Sequence, residues 1–232
     1  RHTTNPSGSV YESPFFFNGR RHVVSETHGF TMSERQSGSI RLGHTVDHTE
    51  IYGPGVRSAI WVKGCTLACK GCWNKQYWPS TGGDLVTVEE LNERLNLIDD
   101  IEGITLLGGE PLQQAPEILQ LIKLQKENNR TVMMYSGYEL EELDEIQKEC
   151  VELSDIVILG RYDESRRNTS LKWRGSENQV LLSPTGRYDV SDYQDGDNEI
   201  SVHIDANGEL TVTGYPDTDT MLDLIGDLIT QM

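Results

Sequence analysis

With 232 residues and 36% hydrophobic content, the chain can bury one sizeable core and is most simply one domain with extensions. A formal net charge of -17 argues against non-specific binding to DNA, RNA or an anionic membrane, and no apolar run approaches the roughly 18 residues of a spanning helix. The one early apolar cluster, Phe15, Phe16 and Phe17, is too short for a secretory core, so the clustered cysteines are expected in a reducing cytoplasm, binding metal and not paired.

Residues 1–39 are rich in Ser, Thr, Gly, Asn and Arg with little periodicity, and read as a poorly ordered extension. The first Met is Met32, so a start there, with a non-native stretch before it, stands beside a genuine extension. From residue 40 to 232 strand-like and helix-like segments alternate. Gly53, Pro54 and Gly55 make a turn before an apolar strand over 58–63, which runs into GCTLACKGCWN. A helix is expected over 87–98, with Thr87 and Glu90 as a capping box and Val88, Leu91, Leu95 and Ile98 as its apolar stripe. The strand 104–107 ends at Gly108, Gly109, Glu110 and Pro111, and Pro116 suits the first turn of a helix over 116–127.

The strand TVMMY at 131–135 turns through Ser136, Gly137 and Tyr138 into a helix with stripe Leu140, Leu143, Ile146 and Cys150, which makes Cys150 a small core residue. Strands over 155–159 and 180–183 follow. A hairpin over 200–204 and 210–213 and a last helix capped by Asp217 close the chain. The pattern is α/β: a parallel β/α barrel, incomplete on one side, with a C-terminal β-hairpin and helix. Ligands of such sheets bind at the carboxyl ends of the strands, and the residues after the first three strands all fall on that rim.

Cys65, Cys69 and Cys72 stand at CxxxCxxC spacing in one short loop. Three thiolates can hold three irons of a [4Fe-4S] cluster and leave the fourth iron open to a small molecule. Two other readings stay open. A zinc site needs a fourth ligand, and no His lies within about a dozen residues; an electron-carrying cluster needs Cys150, far along the chain. Between Arg161 and Gln179 basic residues gather, Arg161, Arg166, Arg167, Lys172 and Arg174, either as a solvated loop or as a surface for a partner.

CxxxCxxC followed by Trp73 resembles the signature of the radical S-adenosylmethionine enzymes. Residues 40–74 and LLGGEPL at 106–112 are similar to the anaerobic ribonucleoside-triphosphate reductase activating proteins of that superfamily, and the resemblance runs from about residue 40 to about 216. It implies a barrel of the radical S-adenosylmethionine type and a [4Fe-4S] cluster on Cys65, Cys69 and Cys72. It also implies S-adenosylmethionine held on the open iron, against Trp73, Gly108, Gly109, Glu110 and Pro111. Ser136 offers a hydroxyl to the cofactor's carboxylate or ribose, or else a helix cap. RGSENQ at 174–179 resembles a segment near the cofactor, with Arg174 and Asn178, or Gln179, as polar contacts.

The activity implied is reductive cleavage of S-adenosylmethionine to a 5'-deoxyadenosyl radical that takes a hydrogen from a glycine of a partner, a glycyl-radical enzyme of the anaerobic ribonucleotide reductase type. A flavodoxin- or ferredoxin-type donor would supply the electron. Two other functions remain: a radical enzyme acting on a small molecule, peptide or RNA, like the deazapurine-forming members, and a non-catalytic iron–sulfur module. No nucleic acid or membrane partner is expected.

Overall fold

The computed structural model describes residues 38–196, 199–204 and 210–214. Apart from Gly38 and Ser39, the expected extension lies outside them, as do the hairpin turn and the last helix. The core is a seven-stranded mixed sheet. Its strands in chain order are β1 (Ser39–Thr49), β2 (Arg57–Val62), β3 (Asp84–Thr87), β4 (Gly103–Gly108), β5 (Thr131–Ser136), β6 (Ile156–Leu159) and β7 (Val180–Leu182), and they lie side by side as β3-β1-β2-β4-β5-β6-β7. The four central strands are parallel, and the edges are antiparallel. Strands β8 (Ile200–Ile204) and β9 (Leu210–Gly214) form a separate antiparallel pair.

The antiparallel edges depart from the expected all-parallel sheet. β1 and β3 carry no clean apolar run that would mark them as strands. They pair with each other, and β1 with β2, through main-chain bonds, which composition does not show. The central strands obey period two across both faces. Ile60 and Val62, Ile104 and Leu106, Val132 and Met134, and Val157 and Leu159 point into one core. There they meet α1 (Val88–Asn96), α2 (Ala115–Glu127) and α3 (Glu145–Leu153). Ala59, Trp61, Leu107, Met133, Ile156 and Ile158 point to the other face, where aromatic residues gather.

Thr87 caps α1 as a capping box with Glu90: the Glu90 N–H donates to Thr87 Oγ1 at 3.2 Å, and Thr87 N–H donates to Glu90 Oε2 at 3.0 Å. The expected stripe of the third helix is broken. Residues Leu140–Glu142 form a single 3-10 turn, and α3 begins only after Asp144, whose carboxylate accepts the Gln147 N–H at 2.8 Å. An aspartate cap four residues into an apolar pattern outweighs the pattern, so Leu140 and Ile146 are exposed while Leu143 and Cys150 are buried.

One buried charge organises the end of the sheet away from the cysteine loop. Arg57, 1% exposed, donates to Thr105 Oγ1 at 2.8 Å, to Thr131 Oγ1 at 2.9 Å and to the carbonyls of Pro54 and Ile104. Its planar fork thereby ties β2, β4 and β5 together at their amino ends.

Candidate functional site

At the carboxyl ends of the parallel strands a cleft of about 640 Å³, open to solvent, lies between the loops. Cys65, Cys69 and Cys72 line it from the loop after β2, Gly108, Gly109 and Glu110 from the end of β4, and Ser136 and Gly137 from the end of β5. The three thiols are half-buried and unpaired to one another, whereas Cys150 is fully buried among the helices and donates to the Ala115 carbonyl at 3.5 Å.

The loop that carries the cysteines is fixed by main-chain bonds. Gly64 N–H donates to Tyr77 O at 2.8 Å and Cys65 N–H to Trp78 O at 3.0 Å, closing the loop on itself. Glu110 N–H then donates to Gly64 O at 2.8 Å, joining it to the end of β4. The glycines are explained by that junction. A Cβ at Gly108, whose φ is 109°, would stand 2.7 Å from Trp61 Cα and Val62 N, and one at Gly109 would stand 2.5 Å from Gly64 O. Their missing side chains make room for β2 and the cysteine loop.

Glu110 faces inward. Its carboxylate accepts the N–H of Leu112 at 3.0 Å and of Gly137 at 2.8 Å, so one side chain spans the turns after β4 and β5. Burial pushes this carboxyl up to about 7, against the opposing pull of those N–H groups and of Ser136. Pro111 is buried as the first residue of the 3-10 turn Pro111–Gln114. Ser136 Oγ accepts the Tyr138 N–H at 3.1 Å, closing a local turn while the residue lines the cleft.

Of the remaining residues singled out from the sequence, Gln179 lines this cleft, whereas Trp73, Arg174 and Asn178 lie outside it. Trp73 lines an adjoining one and stacks under Arg167, whose guanidinium carbon is 5.1 Å from the ring centroid. Arg174 is 8% exposed, and its guanidinium donates to Gln194 O at 2.5 Å. Asn178 donates to Arg161 O at 2.7 Å, and its buried Oδ1 has no partner among the described residues. Arg161 forms a two-pronged pair with Glu142, at 2.7 and 2.8 Å. Much of the basic segment is thus engaged within the fold.

Burial pushes the thiols of Cys65 and Cys69 up, and N–H groups work against it, those of Leu67 and Ala68 on Cys65 and that of Tyr162 on Cys69. Cys72 Sγ accepts the Asn74 N–H at 3.4 Å. Such donors favour thiolate, the form in which cysteine binds iron. Among the described residues no three His, Cys, Asp or Glu side chains converge as a single ion requires. A cubane takes each thiolate on a different iron, and three thiols lining one cleft fit it. Sequence reasoning passed over Tyr162 and gave no role to Asn74, and both line the cleft. Only their backbone or their place on the rim marks them, and neither leaves a pattern in the chain.

The 4Fe-4S single cluster domain family matches residues 51–182. The chain is 34% identical over 139 residues to an anaerobic ribonucleoside-triphosphate reductase-activating protein of Escherichia coli (strain K12), covering 56% of this chain and 90% of that one. Proteins of the same name from Haemophilus influenzae and Enterobacteria phage T4 are 32% identical over 139 residues and 33% identical over 141 residues, with 90% and 88% of their lengths covered. The cofactors are accordingly a [4Fe-4S] cluster and S-adenosylmethionine. The chain belongs to the 4Fe-4S single cluster domain family and to the anaerobic ribonucleoside-triphosphate reductase-activating proteins, as a radical S-adenosylmethionine enzyme.

Proposed function

We propose that this chain generates a glycyl radical on an anaerobic ribonucleoside-triphosphate reductase, with its cluster on Cys65, Cys69 and Cys72 and S-adenosylmethionine against the backbone at Gly108, Gly109 and Glu110. The observation that carries the reading is the convergence of the three thiols, the end of β4 and the turn after β5 on one cleft. When bound and reduced, the cluster and S-adenosylmethionine supply the one-electron cleavage that starts radical chemistry. The chain's own part is to hold and shield. Main-chain bonds from Gly64 and Glu110 fix the cysteine loop, Glu110 locks two rim turns together, and the Trp61, Leu107 and Tyr135 wall limits water.

We read the parallel-rich sheet as an incomplete barrel with that wall inside, and residues 40–232 as its domain. The wide mouth suits a loop of another folded protein better than a small molecule, which needs a closed pocket around most of its surface. A flavodoxin- or ferredoxin-type protein would deliver the electron in the cytoplasm. Among the described residues no helix is long and apolar enough to cross a membrane. The test is anaerobic incubation with reductant, S-adenosylmethionine and the reductase. The expected result is a glycyl-radical EPR doublet on the reductase, with 5'-deoxyadenosine formed in step. Formation of 5'-deoxyadenosine only with a small molecule or free peptide, and no doublet, would overturn the reading.

A further inference from the structure

A second cleft, of about 710 Å³, opens beside the first and shares Asn74 with it. Its floor is Trp61, edge-on to Tyr52 with ring centroids 5.2 Å apart, and His44, Tyr77 and the 40%-exposed Trp73 form its walls. The remaining wall is the strand β9 at Val212, Thr213 and Gly214, where the Gly214 N–H donates to the Tyr52 hydroxyl at 2.6 Å. Among the described residues no Asp, Glu, Lys or Arg lines it, and burial holds His44 below its ordinary value, which disfavours the charged imidazole.

Among the described residues that line it a small charged ligand would find no counter-charge, Arg167 lying over the Trp73 ring without lining the cleft. Aromatic faces, the side-chain amides of Asn74 and Gln76, and a strand suit a polypeptide. Among the described residues β9 pairs with β8 alone, so its other edge presents main-chain groups that no strand of the sheet takes up. Strand addition along such an edge, with side chains dropped into an adjacent pocket, is a recurrent way to recognise an extended segment. The occupant follows from position: the two clefts share Asn74, so an extended segment seated in this one has the cleft of the three cysteines beside it.

We propose that the second cleft seats an uncharged, extended segment of the partner enzyme, laid along β9 with an apolar or aromatic side chain on Trp61, Tyr77 and Trp73, and that this seating delivers the neighbouring glycine to the first cleft. The inference rests on the proposed function and specifies how its protein substrate is held.

Two anaerobic measurements on the cluster-loaded protein with the purified reductase test it. Val212→Glu puts a charge into the neutral wall, and it should weaken reductase binding at least tenfold while iron content and the EPR change on adding S-adenosylmethionine stay as in the parent. A photo-crosslinking residue in place of Gln76 should join to the glycine-bearing loop of the reductase, a readout that does not depend on how Val212→Glu folds. Parent-like reductase affinity in Val212→Glu, or crosslinks from position 76 only to other parts of the reductase, would overturn the docking proposal while leaving the activating function standing. Absence of both binding and glycyl radical with the parent protein would overturn the function itself, and the docking proposal with it.

Discussion

Gln113 grips the cysteine loop at Thr66: its Oε1 accepts the Thr66 N–H at 3.2 Å, and its Nε2 donates to Thr66 Oγ1 at 2.7 Å and to the Tyr138 hydroxyl at 3.1 Å. One amide thus connects the loops that follow β2, β4 and β5. The neighbouring Gln114 repeats the arrangement one step back, donating to Lys63 O at 3.1 Å and accepting the Arg41 N–H at 2.8 Å.

Gln113→Leu should therefore loosen the rim more than the fold. These partly exposed bonds contribute about 1 kcal/mol each, so global stability should fall by roughly 1–2 kcal/mol in chemical denaturation. The larger effect should be faster loss of iron on exposure to a chelator and a smaller EPR change on adding S-adenosylmethionine. Equal chelator kinetics in parent and variant would show that Thr66 is held without Gln113.

The four cysteines should separate cleanly by role. Replacing Cys65, Cys69 or Cys72 by Ala should abolish the cluster, measured as iron and sulfide per chain after anaerobic reconstitution. Cys150→Ala should keep it and lose only packing, about 1 kcal/mol, because its thiol sits among the helices against Ala115. A normal cluster in Cys69→Ala would sink the ligand assignment.

Glu110 predicts a pH dependence. Its carboxyl lies at about 7 in the folded protein against the ordinary 4.5 of a glutamate, so between those values the folded chain keeps a proton that the unfolded chain has released. Stability from this group is then greatest below about 4.5 and falls as pH rises toward 7, by up to about 3 kcal/mol. Glu110→Gln loses one acceptor for Leu112 or Gly137 at every pH but removes this slope. Urea midpoints of iron-free protein at pH 5 and pH 8 should therefore differ less in the variant than in the parent; equal differences would contradict the assignment.

Arg57→Leu should destabilise the fold by about 3 kcal/mol, since the hydroxyls and carbonyls it satisfies at the closed end of the sheet stay buried. Reconstituted iron content should hold at temperatures well below unfolding. Thermal unfolding and iron analysis together check it, and a loss of iron without a loss of stability would tie Arg57 to the site.

The chain itself determined the elements whose signal is local. The CxxxCxxC loop, the capping box at Thr87 and Glu90, and the four apolar runs that became parallel strands each depend on neighbours within a few residues, where spacing carries the information. Tertiary structure decided whatever depends on partners far along the chain. β1 became a strand because β2 offered main-chain groups to pair, β3 became the edge by pairing with β1, and the Gly108 and Gly109 backbone lies against β2 and the cysteine loop. Arg57 is enclosed by hydroxyls 48 and 74 residues away, which no local pattern announces. Gln113 and the aromatic cleft beside Asn74 have no period and no motif, since each is assembled from loops that meet only when the sheet brings the ends of its strands to one rim.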